Sequence, residues 1–315
     1  MVIKRSSSHS NGSWLFLAKE LPKLDWRVVN RKTAKPFKII LLGSPDEQEQ
    51  LMAMLYSFPH YSTQFFKDLL PQLPSFDRSH SESYLIHLTD LSELNDVKNH
   101  SKDSLFILTT DSNKLLHTSQ IPIFHWSQIP EAKTIHKILD QFSNHAFALS
   151  FVFPLFRRSM IEREIKQTAM QNTTWVVSTS LPNLIPGPHQ IFTAPFEAAS
   201  DFVVLTINEF KLMMALTGLL GQKVQPLKLW MQASVVLAMA KTAQVSATQI
   251  ISKVPAGGGL IVKGAVSYAF TRAMGEAIVL TWITGRVQSL SFFKNRLQGF
   301  MTEGKEMARR LVNRR

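Results

Sequence analysis

Residues 37–47 read Phe37-Lys38-Ile39-Ile40-Leu41-Leu42-Gly43-Ser44-Pro45-Asp46-Glu47, an apolar run that ends in glycine and is followed by polar residues. The apolar run predicts a buried strand. Ser44 is a suitable helix N-cap, and the acidic residues after it suit the first turn of a helix. Further along, helical spacing is shown by Leu51, Met54, Leu55 and Phe58. The stretch therefore predicts a strand, a tight turn and an amphipathic helix.

The strand pattern returns three times before residue 145. Short apolar runs occur at residues 84–88, 105–108 and 121–124, separated by segments long enough to form helices. After the last run, a stripe with helical spacing is formed by Ile135, Ile138, Leu139 and Phe142. Short apolar strands that alternate with helix-length segments are typical of a parallel sheet covered on both faces. We therefore predict an α/β, Rossmann-like module at residues 36–145.

A strand that ends in glycine before a helix is also the framework of a phosphate-binding loop, which needs a second glycine, a lysine and a serine or threonine. The corresponding positions here are Gln48, Glu49 and Gln50. A carboxylate at Glu49 would repel the phosphate that a lysine attracts. Asp90 follows a strand, as a magnesium-binding aspartate does, but Glu93 stands where a GTPase carries glycine. The module is thus predicted to lack a P-loop, to bind no cofactor, and to act as a scaffold or docking surface.

The sequence shows no other pattern typical of catalysis or metal binding. The ten histidines include His80 and His87, and His117 and His125, but none has the spacing of a helical zinc site. No Gly-x-Ser-x-Gly motif marks a nucleophile, and the chain has no cysteine. We predict no catalytic residue and no metal site. A metal site built from loops is the alternative, although surface histidines are the preferred interpretation.

The chain has 315 residues and a formal net charge of +12, which is distributed unevenly. Counting by segment gives +7 for residues 1–38, −6 for 39–150, +5 for 151–285 and +6 for 286–315. The polar, basic start of the chain has no apolar core suited to a signal peptide, and we expect residues 1–35 to be a partly disordered lead-in. A net positive charge favours an anionic partner such as a membrane surface, a nucleic acid or an acidic protein.

From Pro154 onward the pattern changes to long helices. Phe156, Met160, Ile161 and Ile165 occupy one predicted helix face, and the opposite, basic side carries Arg157, Arg158, Arg163 and Lys166. Residues 202–220, 227–240 and 260–283 are further apolar helical stretches. The last stretch contains small residues that would let a neighbouring helix approach closely, namely Gly264, Ala265, Ser267, Ala269, Ala273 and Gly275. We therefore predict an all-α bundle after the α/β module.

Residues 167–196 contain no charged side chain, so their length alone would satisfy a test for a transmembrane helix. Four prolines interrupt the segment, at Pro182, Pro186, Pro188 and Pro195. Proline breaks a helix, which argues against a straight membrane span. Two interpretations remain: a buried turn between helices, which is preferred, or a shallow hairpin inserted into a membrane.

The last thirty residues predict a basic amphipathic helix. Its apolar stripe comprises Leu290, Phe293, Leu297, Phe300, Met307 and Leu311, and basic residues lie largely off that stripe. Such a helix suits a membrane interface, and docking of the stripe onto the preceding helices is an equally good interpretation. The candidate membrane or partner surface is formed by Phe293, Lys294, Arg296, Phe300, Lys305, Arg309 and Arg310.

Three runs in the second half carry a family resemblance: residues 181–187 (LPNLIPG), residues 199–208 (ASDFVVLTIN) and the small-residue helix 259–275. They resemble the YcjF-type bacterial helical domain of unknown function, over roughly residues 150–285. In that family the domain often follows a small GTPase module, and many members are membrane-linked. The resemblance implies a helical architecture and a degenerate, pseudo-GTPase arrangement, and it carries over no catalytic residue.

The combined prediction is an α/β module at 36–145, a helical domain at 150–285 and a basic C-terminal helix at 286–315. The leading functional hypothesis is a non-enzymatic, membrane-associated scaffold that binds an unidentified protein and an anionic membrane surface. It would lie at the cytoplasmic face of the membrane, attached peripherally, with a cytoplasmic location as the alternative. A homo-oligomer is compatible with the sequence. The functional alternatives are a divergent nucleotide hydrolase that uses Asp46 or Asp90, and a weak, salt-sensitive nucleic-acid-binding protein.

Overall fold

The computed structural model describes residues 23–25, 27–57, 81–93, 104–111, 121–180, 190–222 and 259–313. Within these ranges the chain forms a four-stranded parallel sheet and eight α-helices, which confirms the predicted combination of α/β and all-α structure. Several sequence predictions lie outside the described ranges: the lead-in up to residue 22, His80, His117, residues 181–189, the helix at 227–240, and Arg314 and Arg315.

The first part of the chain alternates strands and helices. Helix α1 (Arg27–Thr33) precedes strand β1 (Lys38–Leu42), which leads into α2 (Pro45–Leu55). Strand β2 (Leu85–Leu88) is followed by a short 3₁₀ turn (Leu91–Glu93), and then come β3 (Ser104–Thr109) and β4 (Ile123–His125). The sheet order is β2-β1-β3-β4, and all neighbouring strands are parallel. The four apolar runs of the sequence thus form the four strands of one sheet.

The centre of the sheet is fully buried, as the continuous apolar runs predict. In β1, Ile39, Ile40, Leu41 and Leu42 are all inaccessible to solvent. One face packs Ile40 and Leu42 against Leu88 and Ile107. Aromatic rings add to the core, because the Phe106 ring lies 5.5 Å from that of Phe124 and 5.3 Å from that of Phe142. Burial on both faces is expected for a parallel sheet covered by helices.

The second part of the chain is helical. After β4 come α3 (Ala132–Gln141) and α4 (Ala146–Val152), and then four long helices. These are α5 (Pro154–Ser180), α6 (Gln190–Leu219), α7 (Gly259–Thr284) and α8 (Leu290–Asn313). The stripe predicted on α3 is confirmed, since Ile135, Ile138 and Leu139 are buried. Among the helices that the structure describes, none has a stretch long and apolar enough to span a bilayer.

The chain divides into two compact units. The sheet unit comprises Val28–Glu162 and Gly218–Lys223, and the helical unit comprises Met1–Arg27, Arg163–Thr217 and Val224–Arg315. The division falls within α5, so the sheet unit includes α3, α4 and the first turns of α5. Phe153 immediately precedes α5 and Phe156 lies in its first turn, and their rings pack against Phe37 and Phe106 respectively. Aromatic packing therefore includes the first turn of α5 in the core of the sheet unit.

Two arginines of α5 do not lie on an exposed basic side, which corrects the sequence prediction. Arg157 is 0% exposed and Arg158 is 2% exposed. The guanidinium of Arg157 donates through Nε to the carbonyl of Ser150 (3.1 Å) and through Nη2 to that of Phe151 (2.8 Å). Carbonyl groups at the end of a helix such as α4 lack helical partners, so a cation there stabilises them. Burial lowers the pKa of Arg157 to about 9, and the side chain keeps its charge at neutral pH.

Small residues bring the helices of the helical unit into backbone contact, as the sequence predicts. A Cβ atom on Gly275 would lie 2.6 Å from Ile165 of α5. One on Gly264 would lie 2.9 Å from both Val177 of α5 and Ala308 of α8. The closest approach is at Gly304 of α8, where a Cβ would lie 2.6 Å from the carbonyl oxygen of Ala265. Helix α7 is therefore packed against α5 and α8 at positions where only glycine fits.

We expect Gly304→Ala to lower the free energy of unfolding by about 1–3 kcal/mol, because the added methyl group forces the two helix backbones apart. Gly299 provides a matched control in the same helix, since a Cβ there meets no described atom within 4 Å. Gly299→Ala should stabilise the protein by up to about 1 kcal/mol through helix propensity. Urea unfolding curves of both variants measure the difference. Equal effects at the two positions would contradict the close packing.

Candidate functional site

The end of the sheet where β1 meets α2 is where an α/β fold would bind a nucleotide. Gly43 follows β1 with a positive φ of 152°. Ser44 caps α2, because its hydroxyl accepts a hydrogen bond from the Glu47 amide at 3.4 Å. Glu47 completes a capping box, since its Oε2 atom accepts a hydrogen bond from the Ser44 amide at 2.7 Å. The amides of Ser44 and Glu47 are thus hydrogen-bonded to side chains of the same loop.

The carboxylate of Glu47 occupies the place where this loop would hold an anion. Its second oxygen, Oε1, accepts a hydrogen bond of 2.7 Å from the hydroxyl of Thr110, which follows β3. A Cβ on Gly43 would lie 2.7 Å from Glu47 Oε2, so glycine is required for both its conformation and its lack of a side chain. The positive end of α2 is therefore neutralised from within the chain.

The buried side chain of Gln48 joins the loop to the neighbouring strand. Gln48 donates through Nε2 to the carbonyls of Gly43 (2.8 Å) and Leu88 (2.9 Å), at the ends of β1 and β2. Its Oε1 atom accepts a hydrogen bond of 2.7 Å from His87 Nδ1. The Nε2 and Oε1 atoms of Gln48 and the Nδ1 atom of His87 all have hydrogen-bond partners inside the fold. These bonds hold the loop in one shape without a ligand.

The other candidate residues for nucleotide chemistry lie on the surface of α2 or in the turn after β2. Glu49, which the sequence comparison placed at the lysine position, is an exposed residue of α2, so the carboxylate in the loop is that of Glu47. Asp46 is also exposed. Asp90 accepts a hydrogen bond of 2.8 Å from the Ser92 amide, and Glu93 accepts one from the Thr89 hydroxyl. Both carboxylates therefore organise the turn after β2.

The histidines that the structure describes do not assemble into a metal site. His87 contacts Gln48, and His125 donates through Nε2 to the carbonyl of Thr110 at 2.8 Å. Among the described residues, no group of three or more histidine, aspartate or glutamate side chains is arranged to hold a metal ion. The absence of a metal site and of a cofactor from the protein stays a prediction.

The helical unit contains a buried polar network that the sequence did not indicate. Glu209 of α6 is 2% exposed, and its Oε1 atom accepts hydrogen bonds from Asn172 of α5 (3.1 Å) and Thr271 of α7 (2.5 Å). Asn208 of α6 donates to Asn172 Oδ1 at 2.7 Å. Within the described part of the chain, Glu209 Oε2 has no hydrogen-bond partner. The network joins three helices around one carboxyl group.

The C-terminal helix α8 places the seven predicted surface residues in two different environments. Phe293 is buried, and its ring lies edge-to-face against Phe270 of α7 at 5.4 Å. Phe300 lies between the guanidinium groups of Arg272 (4.7 Å) and Arg296 (5.0 Å). Arg296 also forms two hydrogen bonds with the carboxylate of Glu276. Phe293 is therefore unavailable to a membrane or partner, which corrects the prediction for this residue, and Arg296 and Phe300 are half-buried against α7.

The remaining four predicted surface residues, Lys294, Lys305, Arg309 and Arg310, are exposed. Lys294 and Lys305 are eleven residues apart, which is about three helical turns, and Arg309 follows one turn later. These three therefore form a row along one side of α8. Arg310, one residue after Arg309, is rotated by about 100° from this row. We call Lys294, Lys305 and Arg309 the basic face of α8.

No family model, curated protein or solved structure matches the chain. The resemblance to the YcjF-type helical domain therefore stays a prediction.

We expect no change in melting temperature when GTP or ATP is added, with or without magnesium. The physical reason is that Glu47 fills the loop with negative charge, and Gln48 holds it in shape. A ligand that binds only the folded state raises the melting temperature with its concentration, so a thermal-shift titration is the measurement. A concentration-dependent rise would contradict the argument and favour the hydrolase alternative that uses Asp46 or Asp90.

Glu209 is expected to make stability depend on pH. Burial raises its pKa from 4.5 to about 7, partly offset by the hydrogen bonds from Thr271 and Asn172. The folded protein then keeps a proton that the unfolded chain releases, so the free energy of unfolding falls as pH rises from about 4.5 to 7. This contribution amounts to up to about 3 kcal/mol. Glu209→Gln should remove it.

Urea unfolding of wild type and Glu209→Gln across this pH range checks the expectation. Glu306→Gln is the control, because Glu306 is exposed on α8 and should leave the pH dependence unchanged. An identical pH dependence in wild type and Glu209→Gln would show that the buried carboxyl group is not responsible.

Proposed function

We propose that the protein is a non-enzymatic scaffold that attaches peripherally to an anionic membrane surface through its helical unit. The sheet unit is a Rossmann-like framework that docks an unidentified protein partner. The observation that carries the proposal is the basic face of α8, which is exposed while Phe293 and Leu297 of the same helix are buried. The basic face therefore attracts the protein to the membrane by charge, and these two apolar side chains do not enter lipid.

The geometry of the sheet unit supports a non-enzymatic role. Glu47 supplies the anion at the start of α2 from within the chain, with hydrogen bonds of 2.7 Å from the Ser44 amide and the Thr110 hydroxyl. A phosphate group at this position would meet a carboxylate rather than free amides. A nucleotide framework whose loop is filled in this way is suited to binding a protein through its outer surface.

The charge on α8 supports a membrane role. Two acidic residues are present on this helix, Glu303 and Glu306. Glu303 accepts a hydrogen bond of 2.5 Å from Tyr268 of α7, which directs that carboxylate toward the helix interface. Glu306 is exposed, and it is outnumbered by the three cations of the basic face. Each basic residue near an anionic leaflet contributes about 1 kcal/mol of attraction.

Flotation with lipid vesicles tests the proposal. Wild type should float with vesicles of phosphatidylcholine and phosphatidylserine at low salt, and should dissociate at high salt or from phosphatidylcholine alone. The triple variant Lys294→Gln/Lys305→Gln/Arg309→Gln should bind about a hundredfold more weakly, because it loses about 3 kcal/mol of attraction.

A matched control removes the same charge elsewhere. Lys133, Lys137 and Lys166 are exposed lysines of α3 and α5, and Lys133→Gln/Lys137→Gln/Lys166→Gln lowers the net charge equally. This control should retain vesicle binding close to that of wild type. If wild type does not float with either type of vesicle at low salt, the proposal is refuted. If both triple variants lose the same amount of vesicle binding, the role of α8 is refuted.

A further inference from the structure

The connection between α7 and α8 is a short, well-anchored turn at one end of the two-helix hairpin. Gly285 ends α7 with a positive φ of 67°, which is common for a glycine just after a helix. The hydroxyl of Ser289 accepts a hydrogen bond of 3.2 Å from the Phe292 amide and so caps α8. The side-chain amide of Gln288 donates to the Arg286 carbonyl at 2.9 Å. The backbone of the turn is therefore held by hydrogen bonds within the turn itself.

Apolar side chains on this turn face solvent. Val287 is 60% exposed and Leu290 is 46% exposed, the two largest values among the exposed large hydrophobic residues that the structure describes. Trp282 and Ile283, in the last turn of α7, are half-buried beside them. Single exposed apolar residues are ordinary on protein surfaces. Here two lie three positions apart, in the turn and at the start of α8. The last turn of α7 before them contains a tryptophan, a residue enriched at membrane interfaces.

The charges around the turn are all positive. Arg286 and Lys294 are exposed on either side of Val287 and Leu290. The sequence has no aspartate or glutamate from residue 277 to residue 302. A surface that combines exposed apolar side chains with lysine and arginine complements an anionic lipid surface. The apolar side chains can enter the boundary of the acyl chains, and the anionic headgroups attract the lysine and arginine side chains.

We propose that the α7–α8 turn is the membrane-inserting element of the helical unit, with Val287 and Leu290 entering an anionic bilayer and Arg286 and Lys294 binding its headgroups. This inference rests on the proposed membrane association and adds the place and depth of contact. Because Phe293 and Phe300 of the apolar stripe contact α7, the apolar contact with lipid comes from Val287 of the turn and from Leu290, the exposed member of the stripe. The basic face of α8 begins at Lys294, one turn beyond Leu290, so charge attraction and apolar insertion act at adjacent positions of one helix.

The absence of cysteine makes a direct test available. A single thiol is introduced by Val287→Cys and labelled with a fluorophore whose emission shifts to the blue in an apolar environment. The control carries the same label at Ile129→Cys, an exposed apolar position in the sheet unit. With vesicles of phosphatidylcholine and phosphatidylserine, the label at position 287 should shift to the blue and be quenched by brominated lipid, and the label at 129 should do neither.

A binding measurement accompanies the labelling. Val287→Ser/Leu290→Ser should weaken flotation with these vesicles by at least about tenfold, since two apolar side chains lose their burial, whereas Ile129→Ser should not change it. If the protein floats but the label at position 287 does not respond and the double serine variant binds normally, the insertion proposal is wrong and membrane association stands. If wild type does not float, both proposals are wrong.

Discussion

The close approach of α8 to α7 at Gly304 determines how the protein can use its basic C-terminal helix. A single Cβ at this position would lie 2.6 Å from the Ala265 carbonyl, so the two backbones are almost in contact. The approach brings Phe293 against Phe270 and Arg296 against Glu276, and it places the apolar stripe of α8 inside the helical unit. The cations on the other side of the helix stay exposed. Without this packing, α8 would be a free amphipathic helix with a different mode of membrane attachment.

Several charged groups act inside the fold and are not available to a partner. Arg157 is bound to the last carbonyls of α4, Arg158 pairs with Glu162 at 3.2 Å, and Arg296 pairs with Glu276. The formal net charge of +12 therefore does not describe the surface directly. What matters for an anionic partner is the small set of lysines and arginines that are exposed and close together, as on α8.

The sequence predicted the parts of the structure that depend on local patterns. Short apolar runs gave the four strands, and small residues in α7 gave the helix contacts, because both follow from spacing along one element. Glu47 was within reach of such reasoning, since the Ser-x-x-Glu pattern at residues 44–47 is the signature of a capping box. The burial of Glu209 could not be predicted in this way, because its partners Asn172 and Thr271 come from helices far apart in the chain, at positions that differ by 99. Local sequence does not show which polar side chains a distant helix will cover.

The carboxylate that fills the loop after β1 is tethered to that loop by only three residues. Tethering gives such a group an effective local concentration of about millimolar or above. A competing phosphate would have to exceed this concentration and also displace the hydrogen bonds from Ser44 and Thr110. The carboxylate of Glu47 therefore fills the loop as a fixed part of the chain, and its presence there does not depend on the concentration of a ligand.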